Sequence, residues 1–368
     1  MTKKKVILIV AMLVIFVGAV SAGVVLWRNN GWRRTPTQLL TGTKFVSVSA
    51  GVNYVLLIDE DGALWSGGEN EYGQLGNGTM EKGSFEISKI NNGIKYNSVS
   101  AKVLRSFAID IDGNLWGWGN LFSGGNIIGG SPAIIMNGIK VKAVSAGWNH
   151  TLIIDEDGGL WARGSNENGQ LGDKTENYAF ESIRVAERMQ FKTVSAGYRH
   201  SLGIDVDGNL WAWGGNEYGQ LGNGEYGESS LPILIKYGTK FVEVSAGAEQ
   251  SVALDEAGNV WTWGANDAAQ IGDGSKGQSR NTPTLVAKGI KTLAQNVYYH
   301  NAVIDETGNI WSWGYNRDGQ TGSGLFFGIE KKPTKIRTKT TFKAVSAGSS
   351  FSAAIDVDGN FYMWGRKI

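Results

Sequence analysis

The sequence predicts an all-β protein, a seven-bladed β-propeller of four-stranded blades preceded by one N-terminal transmembrane helix. Three observations carry that expectation. An Asp recurs at Asp59, Asp110, Asp155, Asp205, Asp255, Asp305 and Asp356, spaced 51, 45, 50, 50, 50 and 51 residues apart, and a fixed period of that size marks a repeat architecture. Each Asp is followed three residues later by Gly (Gly62, Gly113, Gly158, Gly208, Gly258, Gly308, Gly359) and three further on by an aromatic (Trp65, Trp116, Trp161, Trp211, Trp261, Trp311, Tyr362). Ahead of the repeats, Val6 to Trp27 is an uncharged, mostly apolar run of 22 residues, long enough to span a bilayer as a helix.

In chain order, residues 1–5 are a short basic N-terminus with Lys3, Lys4 and Lys5, residues 6–27 a signal-anchor helix, and residues 28–35 a linker carrying Arg28, Arg33 and Arg34. A cleaved signal peptide has an apolar core of only about 7 to 15 residues, so the longer run favours a retained anchor. Cleavage near Ala22, within Val20-Ser21-Ala22, is the alternative and would give a secreted protein. Basic residues flank both ends and weaken the positive-inside vote. The short N-terminus and the large domain behind it favour a propeller outside the cell.

Residues 36–368 form the propeller. In the fourth repeat the strands are expected at Phe191 to Ala196, Ser201 to Ile204, Asn209 to Trp213 and Leu231 to Ile235, with the Gly-rich NEYGQLGNG stretch before the last. Four short strands per unit of about 40 to 50 residues, with an aromatic signature, describe a propeller blade. The D-x-D-G segment joins the second and third strands as a hairpin. Closure is legible too: Pro36-Thr37-Gln38-Leu39-Leu40 before Thr43-Lys44-Phe45 matches Pro232 to Ile235 before Thr239-Lys240-Phe241, while the chain ends one strand short at Trp364-Gly365. Strand 36–41 should complete the seventh blade and remove an exposed edge.

Gly is abundant at 53 residues, and 11 of the 14 Trp fall in the W-x-W columns, so the glycine is turn chemistry and the tryptophan blade packing. Trp211 and Trp261 are expected to leave core cavities if truncated. There is no Cys, which removes disulfides, thiolate catalysis and Cys-type zinc sites. The formal charge of +1 hides a division: residues 1–34 hold six Lys/Arg and no acid, leaving 29 basic against 34 acidic side chains for the rest. A net-acidic domain lacks the footprint of a nucleic-acid binder.

The columns AGxxH, D-x-DGN-L-W-x-WG and N-x-x-GQLG-x-G, running through residues 36–368, resemble those of the regulator of chromosome condensation repeat family. Departures are local: Lys102 and Val297 replace the Gly after Ala, Arg163 replaces the second Trp, and the stretch after Gly119 (NLFSGGNIIGG) loses GQLG. The family includes a nuclear exchange factor for a small GTPase and a bacterial propeller that inhibits β-lactamase by covering its active-site mouth. The resemblance implies a binding platform, since a fold alone does not fix function.

Candidate chemistry is sparse. The D-x-D-G-N segments (Asp110, Asp112, Asn114; Asp205, Asp207, Asn209) start like a calcium loop but lack its terminal bidentate acid, and Asp-Gly between strands reads as a hairpin turn. The Gly-rich loops lack the Lys-Ser/Thr of a phosphate cradle. His150, His200 and His300 share one repeat column and so stand on different blades, as framework residues rather than a metal triad. No nucleophile, base and orienter stand out, so neither a catalytic residue nor a cofactor is expected, and the protein does not read as an enzyme.

Variability is confined to two places per repeat, which in an up-and-down blade fall on one face. The loop after the first strand carries Trp148, Tyr198, Arg199, Tyr298 and Tyr299; the loop after the third carries Tyr72, Phe122, Tyr218, Tyr315, Arg317, Phe326 and Phe327. Aromatic and Arg side chains are the usual anchors of protein interfaces. Tyr72 and Tyr218, inside the repeated NEYGQLG motif, also fit a loop-packing role. The expected function is a membrane-anchored extracellular propeller that binds a protein through this face. A sugar or cell-wall polymer on the same aromatics is an alternative. An exchange factor, which would need a cytosolic face and a wedge insertion, and an enzyme are more distant ones.

Overall fold

The computed structural model describes residues 32–83, 86–123, 126–296, 298–325 and 328–366, and every regular element among them is a β-strand. The anchor run 6–27, Val297, Phe326 and Phe327 lie outside the described residues, as does the side chain of Phe122. No helix among the described residues is long and apolar enough to cross a membrane.

The strands pair into seven antiparallel four-stranded units, one per repeat. Blade four is representative: its innermost strand is 191–196, the second half of the long strand Ala179–Ala196, followed by His200–Asp205, Leu210–Gly214 and Ser229–Ile235. The first half of that long strand is the outer strand of blade three, so blades three and four run together as one seven-stranded sheet. In blade seven the outer strand comes from the other end of the chain. Trp32–Leu39 pairs antiparallel with Phe361–Arg366, with Thr37 opposite Met363 and Leu39 opposite Phe361. The strand begins four residues before the Pro36 that the repeat match marks.

Each repeated Asp acts through its carboxylate. In blade four, Asp205 Oδ1 accepts the backbone N–H of Asp207 at 3.0 Å and of Asn209 at 2.8 Å, and Oδ2 accepts Asn209 Nδ2 at 2.8 Å and Trp211 Nε1 at 2.9 Å. One carboxylate therefore closes the hairpin and pins the Trp, which is why the D-x-D-G-N-x-W block keeps its register. Gly208 sits at φ 81° in this turn, a left-handed conformation that a side chain disfavours. Burial raises the Asp205 carboxyl, but the Asn209 and Trp211 hydrogen bonds outweigh it and hold it below its usual range. Each of the two carboxylate oxygens thus accepts two hydrogen bonds within the turn. Among the described residues no group of three or more acidic, His or Cys side chains could hold a metal ion.

Blades are clasped to one another by the second Trp of each W-x-W, not the first. Trp118, Trp213, Trp263, Trp313 and Trp364 are fully buried, and their Nε1 atoms donate to the carbonyls of Gln74, Gln170, Gln220, Gln270 and Gln320 on the preceding blade at 2.8–2.9 Å. Trp211 and Trp261, expected as core, are only partly buried and sit at the edge of their clusters. Arg163 stands at the second Trp position of blade three, and the stretch of blade two that would supply the acceptor Gln has lost GQLG.

A second lattice runs beneath. In blades three, four and six, His150, His200 and His300 are fully buried, with Nε2 2.8–3.0 Å from Ser201, Ser251 and Ser352 of the next blade. Those Ser hydroxyls donate to the same Gln170, Gln220 and Gln320 carbonyls that the Trp use, so each imidazole is the Nε2–H donor. Burial pushes all three imidazoles down to about 3. The folded state thus refuses a proton that the unfolded chain accepts near pH 6.5; stability is full above that value and is lost as the pH falls toward 3. His200→Gln, which installs the residue found at Gln250 in the same column, should flatten the fall of melting temperature between about pH 6.5 and 4. A slope equal to wild type would contradict this assignment.

The innermost strands close the ring. Ser49, Ser100, Ser145, Ser195, Ser245 and Ser346 each accept the backbone N–H at the end of the neighbouring inner strand, at 2.9–3.0 Å. Blade six has Gln295 in this column, and there the strand itself takes over: Gln295–Asn296 pairs in parallel with Ser346–Ala347 of blade seven. Apolar clusters fill the wedge between adjacent blades, as where Leu202, Ile204 and Leu210 of blade four meet Phe241, Val244 and Trp263 of blade five.

Candidate binding face

The loops leaving the inner strands begin close to the axis, so side chains from distant blades can meet there. They do. The Trp148 ring on blade three lies 4.7 Å from Tyr198 of blade four and 5.4 Å from Tyr298 of blade six, and Tyr298 lies 5.3 Å from Tyr299, all edge-on. Arg199 stacks its guanidinium 4.9 Å from the Tyr198 ring centre. Backbone bonds lace these loops together, from Trp148 N–H to Gly197 C=O at 3.0 Å and from Tyr198 N–H to Ala248 C=O at 3.3 Å. All four aromatics are partly exposed, a state in which their edge contacts are kept and their remaining surface is open to a partner.

The cluster continues into a cleft of about 510 Å³ between blades five, six and seven, lined by Tyr298, Tyr299, Tyr315, Asp267, Lys276, Ser349 and Ser350 among others. Asp267 and Lys276 are additions that the sequence columns did not single out: Asp267 fills the first variable position of the Asn266-to-Gln270 turn, and Lys276 lies just beyond it. Tyr218 joins the rim. Its hydroxyl is raised first by Glu249, then Glu217, so its ring stands among acids of blades four and five. Burial, helped by Glu217, raises the Glu249 carboxyl, and burial raises the Tyr298 and Tyr299 hydroxyls.

The other expected residues are not gathered here. Tyr72, on blade one, is exposed, and its backbone N–H is held by Gln74 Oε1 at 3.0 Å within the NEYGQLG turn. Tyr218 shares that turn geometry through Gln220 Oε1 at 2.8 Å, so the motif fixes the backbone and leaves the ring outside. Arg317 is exposed, with no hydrogen bond or ion pair to the cluster among the described residues. Phe122 contributes backbone to the strand Leu115–Ser123, opposite Ile127, rather than to a free loop.

A closed ring of blades, clasped by Trp and Gln and bearing variable side chains at one mouth of its axis, defines a β-propeller built from internal repeats. Residues 124–368 match the RCC1-like domain family, and the chain belongs to it. It is 32% identical over 84 residues to the regulator of chromosome condensation of Xenopus laevis, a stretch covering 23% of this chain and 20% of that protein. In three dimensions it is similar to Prp20p from Saccharomyces cerevisiae (TM-score 0.74, 21% identity, covering 88% of this chain and 82% of the other). It is similar also to human WBSCR16 (TM-score 0.78, 18% identity, 90% of each chain). At such identities these likenesses establish the fold.

Proposed function

We propose that this propeller is a protein-binding module, not an enzyme, and that its partner docks on the face bearing Trp148, Tyr198, Tyr298 and Tyr299. The observation that carries the reading is the convergence of these four side chains, from three blades, at one mouth of the axis beside an open cleft. Rigid aromatic side chains lose little conformational entropy on binding and bury large areas, which makes them interface anchors. The similar Prp20p is described by its binding to Gsp1p and histones, which lends the fold a precedent for protein partners. Replacing Trp148 or Tyr298 by Ala should weaken partner binding by about 1 to 4 kcal/mol. Unchanged affinity, read by titration calorimetry in both variants, would remove the face from consideration.

The run 6–27, by its length and lack of charge, would hold the propeller at a membrane, on the outer side. Fractionation of the producing cells is expected to leave the full-length chain with membranes under high salt. Mature protein starting near Gly23 in the medium would overturn retention.

A further inference from the structure

Lys102 stands where the repeat column has Gly51, Gly147, Gly197, Gly247 and Gly348. Those positions exclude a side chain: a Cβ on Gly197 would lie 2.5 Å from the His200 ring, and one on Gly348 would lie 2.6 Å from Phe351. In blade two the obstructing residue has moved. Arg105 takes that column and turns away, its Nε donating to the carbonyl of Asn120 at 3.0 Å. The space released admits a lysine that runs across the axis. Its Nζ donates to three backbone carbonyls, Ala246 at 2.6 Å, Asn296 at 2.7 Å and Ala196 at 3.2 Å, on blades five, six and four.

We propose that the carbonyls of Ala196, Ala246 and Asn296 form a monovalent-cation site on the propeller axis, which this chain fills with its own Lys102 ammonium. Three convergent carbonyl oxygens at these distances suit an ammonium ion, and potassium, which has nearly the same size. The three N–H bonds of the ammonium are all used, as a buried charge requires. No carboxylate pairs with Lys102 among the described residues; the carbonyl dipoles alone offset its charge. Burial pushes this ammonium down to about 7, so the oxygens must supply what solvent no longer does.

The site lies directly under the candidate face. The residues whose carbonyls hold the ammonium stand two to three positions before Tyr198, Glu249 and Tyr298, so one cation ties together the roots of three of its loops. The inference does not depend on what that face binds.

Lys102→Ala opens the site and Lys102→Met fills it without donors. At pH 6, Lys102→Ala is expected to melt several degrees below wild type in choline chloride and to recover, saturably, on adding millimolar ammonium or potassium chloride. Wild type and Lys102→Met should show no such recovery. A Lys102→Ala protein that melts like wild type, or that responds to choline, ammonium and potassium alike, overturns the proposal. Should Lys102→Ala fail to fold, 15N-lysine-labelled wild type gives the answer: one ammonium resonance protected from solvent exchange at pH 6 is expected, and its absence refutes the site.

Discussion

Deleting residues 32–39 is expected to lower the stability of the propeller by several kcal/mol and its melting temperature by roughly 10 °C. Among the described residues the strand is the only partner of the outward edge of Phe361–Arg366, so its loss unpairs a row of backbone groups in blade seven. Leu39 and Leu40 pack against the cluster of Phe45, Phe351 and Phe361, which spans blades seven and one. Arg34 C=O accepts the N–H of Gly324 from blade six at 3.3 Å, so the strand also ties that loop. The damage falls where the ring closes, and the exposed edge invites association between molecules. A deletion variant that melts with wild type and stays monomeric would show that the ring closes without this strand.

The second large effect separates the two Trp of a blade. Trp263→Ala should cost about 3 to 5 kcal/mol, because it empties a fully enclosed site between blades four and five. It also removes one of the two bonds to Gln220 C=O, leaving that carbonyl to Ser251 alone. Gly222, at φ 79°, exists to let this ring in: a Cβ there would lie 2.6 Å from Trp263 Nε1. Trp261→Ala should cost less, about 1 to 3 kcal/mol, since its ring lies partly in solvent under the Lys236 ammonium, 3.9 Å from the ring centre, and its Nε1 bond to Asp255 is only partly buried. Urea denaturation of the pair tests the ordering. Equal costs, or a larger one for Trp261, would contradict the clasp.

The architecture was legible because one carboxylate closes the hairpin in every blade and accepts the first Trp's Nε1 in six of them, and those needs fix residue types at fixed spacing. The Trp assignment was less so. Residues two apart in a strand share a face, so both Trp of a W-x-W pack on the same cluster, and only the loop of the preceding blade, whose Gln carbonyl takes the second Nε1, decides which of them is enclosed. The latch starts at Trp32, a few residues before the match at Pro36, because an outer strand has a solvent-facing side with little pattern to mark its start. At the candidate face, the variable aromatics were visible as residues that the repeat does not require. That Trp148 and Tyr298, three blades apart, touch follows from the narrow ring of inner strands, a radius that no linear spacing expresses. Lys102 looked like a blemish in a Gly column. A long cation replacing the residue nearest the axis could have been read as reaching across it, had the carbonyls opposite been in view.

The most direct test of the binding reading compares the two faces of one ring. A cross-linkable form of the full chain captures its partner in three versions: wild type, Trp148→Ala/Tyr298→Ala on the loop face, and Val206→Glu, an exposed residue of the D-x-D-G hairpin face. Melting curves for all three show that each is folded. The account predicts that the loop-face variant loses at least about 10-fold of the capture of a partner that wild type and the hairpin variant bind equally. Equal capture by the loop-face variant, or loss confined to the hairpin variant, would contradict it.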